Sequence, residues 1–284
     1  MSERSITYKG KTYGTLREID DPDFAFYNTK PIRTALHVDA SIATPIVARE
    51  MDGLTYLAWN QTTLMPARKT FDMAVAVACI LDTMDRHVTV GDIGTGTGVF
   101  PITVANLLSE KKDISYHATD ISSAALQVAS INAQINGLNP EDINWKNTDG
   151  LDGIHHDIAG FDVVFSNPPF TRTKDLPRVN RSGFNPDLAL DGGADGAQFY
   201  RQFTREAVPL LNKEGVLVFQ LPLEEAGIEQ VVRSVCPIVP GLPIHLLADH
   251  GKRYTQFFPL FMTIGGSNNH IEQFKAQKYR VERI

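Results

Sequence analysis

An amide, two prolines and an aromatic ring stand next to one another in this chain, in the order Asn167, Pro168, Pro169 and Phe170. They follow the apolar run of residues 161–165, where a buried strand is expected to end. Neither proline has an N–H to donate to a sheet, so the chain must leave the sheet in a stiff turn. Such a turn brings the Asn167 amide, backbone carbonyls and the Phe170 ring together. This arrangement can hold a planar NH2 group, so we expect chemistry on such a nitrogen.

A glycine-rich turn follows an expected strand at residues 87–93 and begins an expected helix at residues 99–108. From Asp92 to Gly98 it reads Asp-Ile-Gly-Thr-Gly-Thr-Gly, and such glycines let a ligand approach the backbone closely. The dinucleotide fingerprint G-x-G-x-x-G would need a glycine at Val99, and no Gly-Lys-Ser/Thr follows, as a phosphate-binding loop requires. The acid two residues before the first glycine instead favours a nucleoside that carries a charged amino-acid group.

Two further acids stand at the ends of the next two expected strands. Asp120 ends a strand at residues 114–119 and can accept both hydroxyls of a ribose, whereas Asp149 follows a strand at residues 143–146 and can accept from the amine of an adenine. Either acid alone is equally well explained as a turn or cap residue. Because ligands of a doubly wound sheet bind at the carboxyl ends of its strands, three acids in this position indicate one ligand site.

The elements that must position these residues alternate between helix and strand from about residue 66. We expect helices at residues 71–81, 99–108, 122–136, 197–211 and 224–235. We expect strands at residues 87–93, 114–119, 143–146, 161–165, 215–221, 244–248 and 257–264. This order predicts an α/β fold with a doubly wound, mostly parallel seven-stranded sheet, in which one of the last two strands is antiparallel. Residues 171–195 are expected to form a long loop without secondary structure.

Residues 1–65 are expected to form a small N-terminal lobe that binds the substrate or acts as a lid, and residues 66–284 a catalytic domain. Within the lobe, residues 5–15 have the alternation of a hairpin, a short helix is expected after Pro45, and residues 54–59 have the pattern of a strand.

Composition limits the partners of the chain. The net charge of its 284 residues is −6 and no long run of Lys or Arg occurs, so nucleic acid is not a favoured partner. The N-terminus is polar and no apolar run approaches the ~20 residues that span a bilayer, so we expect a cytoplasmic protein without membrane contact. We expect no metal site, because His155 and His156 lack further ligands at suitable spacing. The sequence does not indicate an oligomeric state.

Together these motifs resemble the class I S-adenosylmethionine-dependent methyltransferases. More narrowly, they are similar to the HemK/PrmC-type glutamine methyltransferases that act on peptide release factors. The resemblance covers about residues 64–262. It includes the segments at residues 65–68, 92–98, 120–126, 167–170 and 189–196. The last of these, Ala-Leu-Asp-Gly-Gly-Ala-Asp-Gly, favours this subfamily over the adenine methyltransferases.

The resemblance implies S-adenosyl-L-methionine as the cofactor and assigns roles to matching residues. The expected cofactor-binding residues are Asp92, Gly94, Thr95, Gly96, Thr97, Gly98, Asp120, Ile121, Asp149, Gly150 and Asn167. The expected catalytic residues are Asn167, Pro168, Pro169 and Phe170. The expected substrate-binding residues are Pro66, Arg68, Phe170 and Arg172. The implied reaction is methyl transfer to a planar nitrogen, the side-chain amide of a protein glutamine.

Two departures from the family pattern keep other acceptors open. The family usually has Tyr at the position of Phe170, and the two acids of its Pro-Arg-Pro-Glu-Thr-Glu segment are missing at residues 66–71. One alternative is therefore a small-molecule methyltransferase, or another enzyme that consumes S-adenosylmethionine on the same core. Another is an adenine or guanine methyltransferase on RNA or DNA, and a catalytically silent cofactor-binding module is the last.

Overall fold

The computed structural model describes residues 6–8, 11–13, 46–111, 113–154, 158–249, 259–277 and 279–284. Two short antiparallel hairpins come first. The first pairs β1 (Ile6–Tyr8) with β2 (Lys11–Tyr13), and the second pairs β3 (Ile46–Met51) with β4 (Leu54–Trp59). The hairpin predicted at residues 5–15 and the strand predicted at residues 54–59 are thus confirmed. The helix predicted after Pro45 is wrong, because the β-branched Ile46 and Val47 begin a strand.

An eight-stranded sheet follows the hairpins. In chain order its strands are β5 (Val88–Ile93), β6 (Ile114–Asp120), β7 (Ile143–Asn147), β8 (Phe161–Ser166), β9 (Leu211–Gln220), β10 (Ile244–Asp249), β11 (Pro259–Gly265) and β12 (Tyr279–Arg283). Across the sheet the order is β12-β10-β11-β9-β8-β5-β6-β7. Neighbours from β9 to β7 are parallel, and β11, β10 and β12 add on antiparallel.

Helices cover both faces of this sheet. They are α1 (Arg68–Asp82), α2 (Val99–Leu107), α3 (Ser123–Ile135), α4 (Leu176–Val179), α5 (Gln198–Ala207), α6 (Glu225–Val235) and α7 (Asn268–Ala276). Successive side chains of β9 belong to opposite cores: Val216 and Val218 pack with α1 and α2, and Leu217 and Phe219 pack with α5 and α6. The doubly wound, mostly parallel fold is therefore confirmed.

The sheet has eight strands rather than the predicted seven, because the chain continues after β11. Helix α7 and strand β12 were not predicted, and β12 joins the sheet beside β10. The helix predicted to extend to residue 211 ends at Ala207, where Pro209 follows within a 3-10 turn and Leu211 begins β9. Proline lacks the N–H that a further helical turn would use. The loop predicted at residues 171–195 contains α4 and two 3-10 turns, so its lack of secondary structure is corrected.

Side-chain amides on α3 and at its C-cap attach the β3–β4 hairpin to the sheet domain. The Asn132 amide accepts from the Leu57 N–H at 2.8 Å and donates to the Leu57 carbonyl at 3.0 Å. One turn later, Asn136 accepts from the Thr55 N–H and donates to its carbonyl, both at 2.8 Å. Asn132 also donates to the Thr97 carbonyl at 2.8 Å, so one buried side chain connects the hairpin with the glycine turn. Among the helices that the structure describes, none combines the length and apolarity needed to cross a bilayer.

Candidate active site

A cavity of about 560 Å³ lies at the carboxyl ends of the parallel strands. Its lining comes mainly from residues 61–67, 92–97, 120–122, 148–150, 167–169, 186–189 and part of 198–203. The glycine turn, the acids at the strand ends and the Asn-Pro-Pro turn therefore share one space. Segments from both sides of the expected domain boundary also contribute to it.

The carboxylate of Asp120 fixes the position of the glycine turn. That carboxylate accepts from the Gly96 N–H and from the Ser122 N–H, each at 2.9 Å. Gly96 and Gly98 have φ values of +54° and +76°, a left-handed conformation that side chains other than glycine rarely adopt. A Cβ added to Gly98 would lie 2.7 Å from Cδ1 of Ile102 and 3.1 Å from Cβ of Ala129, so a side chain there would also crowd α2 and α3.

The cavity is acidic. Burial, together with the nearby carboxylate of Asp120, raises the pKa of Asp92 to about 7. Burial also raises the pKa of Asp120, although hydrogen bonds from the Ser122 and Gly96 amides oppose this effect. Among the described residues that line the cavity, four are aspartates and none is Lys, Arg or His. The aspartates are Asp92, Asp120, Asp149 and Asp187. Such a lining favours a ligand with positive charge.

The Asn167 side chain presents an unused acceptor. Its Oδ1 is buried and has no hydrogen-bond partner among the described residues. The preceding Ser166 hydroxyl donates to the Ile93 carbonyl at 2.8 Å and fixes the end of β8 against β5. An unsatisfied buried acceptor costs about 1–3 kcal/mol, so this oxygen is suited to a donor that a ligand brings.

The last residues of the long loop, which spans residues 171–195, hold the Asn-Pro-Pro turn in place. The Thr171 N–H donates to the Leu190 carbonyl at 2.9 Å, and the Gly192 N–H donates to the Thr171 carbonyl at 2.7 Å. A Cβ on Gly192 would lie 2.8 Å from Cα of Phe170 and 2.9 Å from the carbonyl oxygen of Pro169. Glycine at this position therefore permits a close backbone approach that fixes the turn.

Two comparisons with known proteins bear on the family of this chain. A family model described as methyltransferase small domain matches residues 65–181. The release factor glutamine methyltransferase of Bacillus cereus is 30% identical over 201 residues, which cover 68% of this chain and 67% of that protein. The chain belongs to the release factor glutamine methyltransferase family, a group of class I S-adenosylmethionine-dependent methyltransferases.

Other relatives match over less of their length. The ribosomal protein uL3 glutamine methyltransferase of Neisseria meningitidis is 34% identical over 131 residues, which cover 46% of this chain and 41% of that protein. Three further release factor glutamine methyltransferases are covered over 55%, 56% and 57% of their length. A Clostridium thermocellum structure, provisionally named an rRNA methylase, has a TM-score of 0.50 at 13% identity over 71% of this chain and 99% of that one. At such low identity it supports the fold alone.

Most of the residues expected to bind the cofactor or substrate line the cavity. They are Pro66, Asp92, Gly94, Thr95, Gly96, Thr97, Asp120, Ile121, Asp149, Gly150, Asn167, Pro168 and Pro169. Gly98 lies outside the lining, at the N-terminus of α2. Phe170 also lies outside it and packs against the core beneath α5 and α6.

Two arginines expected to bind substrate are engaged elsewhere. The Arg68 guanidinium pairs with Asp52 at 2.8 Å and with Asp72 at 2.7 Å, which connects the turn of the β3–β4 hairpin to α1. Arg172 pairs with Asp175 at 2.7 Å on the exposed side of the long loop. Neither lines the cavity.

Sequence reasoning did not identify one wall of the cavity. Helix α5 contributes Phe199, Gln202 and Phe203, which lie at helical spacing on one face. The Gln202 amide donates to Asp149 at 3.3 Å and to Glu206 at 3.0 Å. The sequence signal for this wall was the helical spacing of Phe199, Gln202 and Phe203, which follow the glycine-rich segment at residues 189–196.

Proposed function

We propose that this chain transfers a methyl group from S-adenosyl-L-methionine to the side-chain amide nitrogen of a glutamine in a protein. The observation that carries the proposal is the buried, unpartnered Oδ1 of Asn167 in the same cavity as the glycine turn. The named acceptors of two relatives, a release factor and ribosomal protein uL3, are different proteins with the same modified residue type. The shared chemistry therefore supports glutamine more strongly than it supports either protein.

The residues present fit the cofactor. When bound, S-adenosyl-L-methionine supplies a methyl group on a positively charged sulfur that is already activated for transfer. Asp92 and the glycine turn from Gly94 to Gly98 would hold its amino-acid part, Asp120 and Ile121 its ribose side, and Asp149 and Gly150 its adenine. The cavity's aspartates suit a ligand with an ammonium and a sulfonium group.

The Asn-Pro-Pro turn would prepare the acceptor nitrogen. An amide nitrogen is a poor nucleophile because its lone pair is delocalised into the carbonyl group. Asn167 Oδ1 and the Pro168 carbonyl would each accept one proton of the NH2 group, which favours a pyramidal nitrogen with a localised lone pair. No strong base is needed if the proton leaves to water after transfer. Catalysis then consists mainly of positioning and of oriented acceptors.

Phe170 retains a proposed role behind the turn. Its ring packs outside the cavity against the core beneath α5 and α6, so it would support the turn that carries Asn167 rather than stack on the acceptor. Pro66 lines the cavity and remains a proposed substrate-binding residue. Arg68 and Arg172 pair with aspartates outside the lining, so they would contact only parts of a protein substrate that lie beyond the cavity. Residues 1–65 remain a proposed lobe on the acceptor side. The contribution of residues 61–65 to the cavity wall supports a role of this lobe in substrate binding.

Charge argues against a nucleic-acid acceptor. A phosphate backbone is normally held by Lys and Arg, and none of these residues occurs among the described residues of the cavity wall. A neutral amide in a protein loop needs no such partner. The second alternative, a small-molecule amine or amide, is separated from a protein acceptor by experiment.

The test is incubation of the purified chain with S-adenosyl-L-methionine that carries a labelled methyl group. Three acceptor pools are offered separately: a release factor with uL3, a metabolite extract, and RNA with DNA. We expect label on one glutamine of a protein in the first pool, located by mass spectrometry of its peptides. Label confined to metabolites or nucleic acid, or cofactor breakdown without label, would refute the proposal.

A further inference from the structure

Two segments that are far apart in the chain meet over the cavity. We name residues 60–67 the first cover loop and residues 180–189 the second cover loop. The Gln61 N–H donates to the Phe184 carbonyl at 2.7 Å, and the Met65 N–H donates to Oδ1 of Asn185 at 3.1 Å. The Gln61 side-chain amide donates to the Gly183 carbonyl. Both loops line the cavity that contains Asn167.

Gln61 has a left-handed backbone conformation, which is unfavourable for glutamine. Its φ is +58°, and the other described non-glycine residue with positive φ is Asp52, at +53°. Asp52 precedes Gly53 in the two-residue turn of the β3–β4 hairpin, where left-handed conformations are the rule. Gln61 lies in no hairpin turn of this kind. A left-handed residue other than glycine or asparagine costs about 1–2 kcal/mol, so the side chain of Gln61 needs a separate explanation.

The contacts of the side chain provide that explanation. A turn that needed only a left-handed residue would be more stable with glycine or asparagine. The glutamine side chain is long enough to reach the Gly183 carbonyl on the second cover loop. That loop is also tied internally, because the Asn180 amide donates to the Asn185 carbonyl at 2.8 Å and to Asp187 at 2.9 Å. Fixing Gly183 therefore also fixes residues 186–189, the part of the second cover loop that lines the cavity.

We propose that Gln61 is a positioning residue that holds the second cover loop over the acceptor side of the cavity. The inference rests on the proposed function, because it concerns how the glutamine-bearing segment is admitted to Asn167. Residues 186–189 lie in the held loop and line the cavity. Backbone strain at functional sites persists where a particular arrangement is needed, and Gln61 combines such strain with a contact across the site.

The test uses Gln61→Gly and, as a matched control for the backbone, Gln61→Asn. Both residues tolerate the left-handed conformation, and neither has a side-chain amide that reaches Gly183. We expect both variants to keep or raise the melting temperature of the wild-type chain, because strain is relieved. We expect hydrogen exchange in the second cover loop to increase about five-fold and the KM for a glutamine peptide to rise about five-fold, the effect of one hydrogen bond. The kcat and the Kd for S-adenosyl-L-methionine should change less than about two-fold, in contrast to a general loss of structure.

The two measurements separate failure of this inference from failure of the proposed function. Hydrogen exchange needs no acceptor, so unchanged exchange in both variants would overturn the role of Gln61 whatever the chain methylates. Faster exchange with an unchanged KM would show a structural contact only and would also overturn it. If the wild-type chain methylates no glutamine peptide, the proposed function fails, and an unchanged rate of exchange remains the outcome that rejects the loop connection.

Discussion

The two sides of the cavity are built in different ways. On the cofactor side, the turn after β5 is held by Asp120 at the end of the adjacent strand β6, through the Gly96 amide. On the acceptor side, the contact between Gln61 and Gly183 joins residues 122 positions apart, outside any sheet. The cofactor side therefore follows from the fold itself. The acceptor side depends on a few contacts between loops, which can change without disturbing the sheet.

This difference predicts which property each side of the cavity controls. In a doubly wound sheet ligands bind at the carboxyl ends of the strands, so the cofactor side depends directly on the sheet. Acceptor choice depends on surface loops, which vary more and carry specificity. Variants on the two sides should accordingly change different kinetic constants, and four predictions test this separation.

The largest effect is expected for Asn167→Ala, which removes the unpartnered acceptor between the two sides. Loss of one oriented polar group at a reacting centre typically lowers kcat by about 10²–10³-fold. We expect this loss with a Kd for S-adenosyl-L-methionine within about three-fold of wild type, measured by calorimetry. Asn144→Ala, on the exposed part of β7 outside the cavity, is the matched control. Turnover at the wild-type rate in Asn167→Ala would rule out the proposed mechanism.

The second prediction compares Gly192 on the acceptor side with Gly98 on the cofactor side. In Gly192→Ala the new Cβ would press on the Phe170 and Pro169 backbone, and a displacement of the turn by about 1 Å can lower activity about 10²-fold. In Gly98→Ala the left-handed φ of +76° and the contact with Ile102 should distort the glycine turn. We expect the first variant to lose kcat at nearly normal cofactor affinity, and the second to lose cofactor affinity.

Steady-state kinetics and cofactor titration, together with thermal unfolding, check this pair. Overpacking typically destabilises a protein by about 1–3 kcal/mol, so both variants should melt at a lower temperature but remain folded. Equal loss of cofactor affinity in both variants would mean that the two sides are not independent.

The third effect is a pH dependence that belongs to the cofactor side. Burial raises the pKa of Asp92 to about 7, and a cationic ligand pairs with the ionised carboxylate. The Kd for S-adenosyl-L-methionine should therefore fall about ten-fold between about pH 6 and pH 8. The stability of the free protein, in contrast, should decrease over the same rise in pH. Between the unfolded pKa of about 4 and the folded value of about 7, the native state holds the proton that the unfolded state releases, so this group's contribution to stability decreases as pH rises.

Asp92→Asn isolates this contribution, because burial also raises the pKa of Asp120 in the same cavity. In the variant, cofactor binding should be weaker at pH 8 and nearly independent of pH. Binding measured across this range for wild type and variant provides the check. A pH dependence of wild-type size in Asp92→Asn would assign the titration to another group.

The sequence predicts the cofactor side because its signals are local. The helix after Asp120 has Ser122 as its N-cap, which accepts from the Ala125 N–H at 3.2 Å, and Gly137 follows its end with a φ of +79°. Alternating apolar runs likewise predict the strands whose ends carry the acids. Each of these features is set by residues within a few positions of one another.

The acceptor side and the C-terminus were harder to predict for physical reasons. Nothing local to Gln61 indicates that its amide lies beside Gly183, since that contact exists only once the sheet has formed. Phe170 was expected to stack on the acceptor, but an aromatic residue after a turn can pack on either side, and here the glycine-rich segment encloses its backbone. Helix α7 had a usable signal in the capping box of Ser267 and His270.

The smallest effect concerns charge on the acceptor side. Asp187 is exposed on the second cover loop and lines the cavity, and no described Lys or Arg does so. A glutamine peptide with Lys next to the glutamine should therefore have a higher kcat/KM than the same peptide with Glu, by about two- to five-fold, the range of exposed ion pairs.

Asp187→Asn should reduce this preference, whereas Asp152→Asn, an exposed acid outside the cavity, should leave it unchanged. Because exposed charges are screened, the preference should also decrease at 1 M salt, where the Debye length falls to about 3 Å. A preference that persists in Asp187→Asn would place the recognition of charge elsewhere on the chain, whereas its loss would show that the second cover loop contacts residues beside the methylated glutamine.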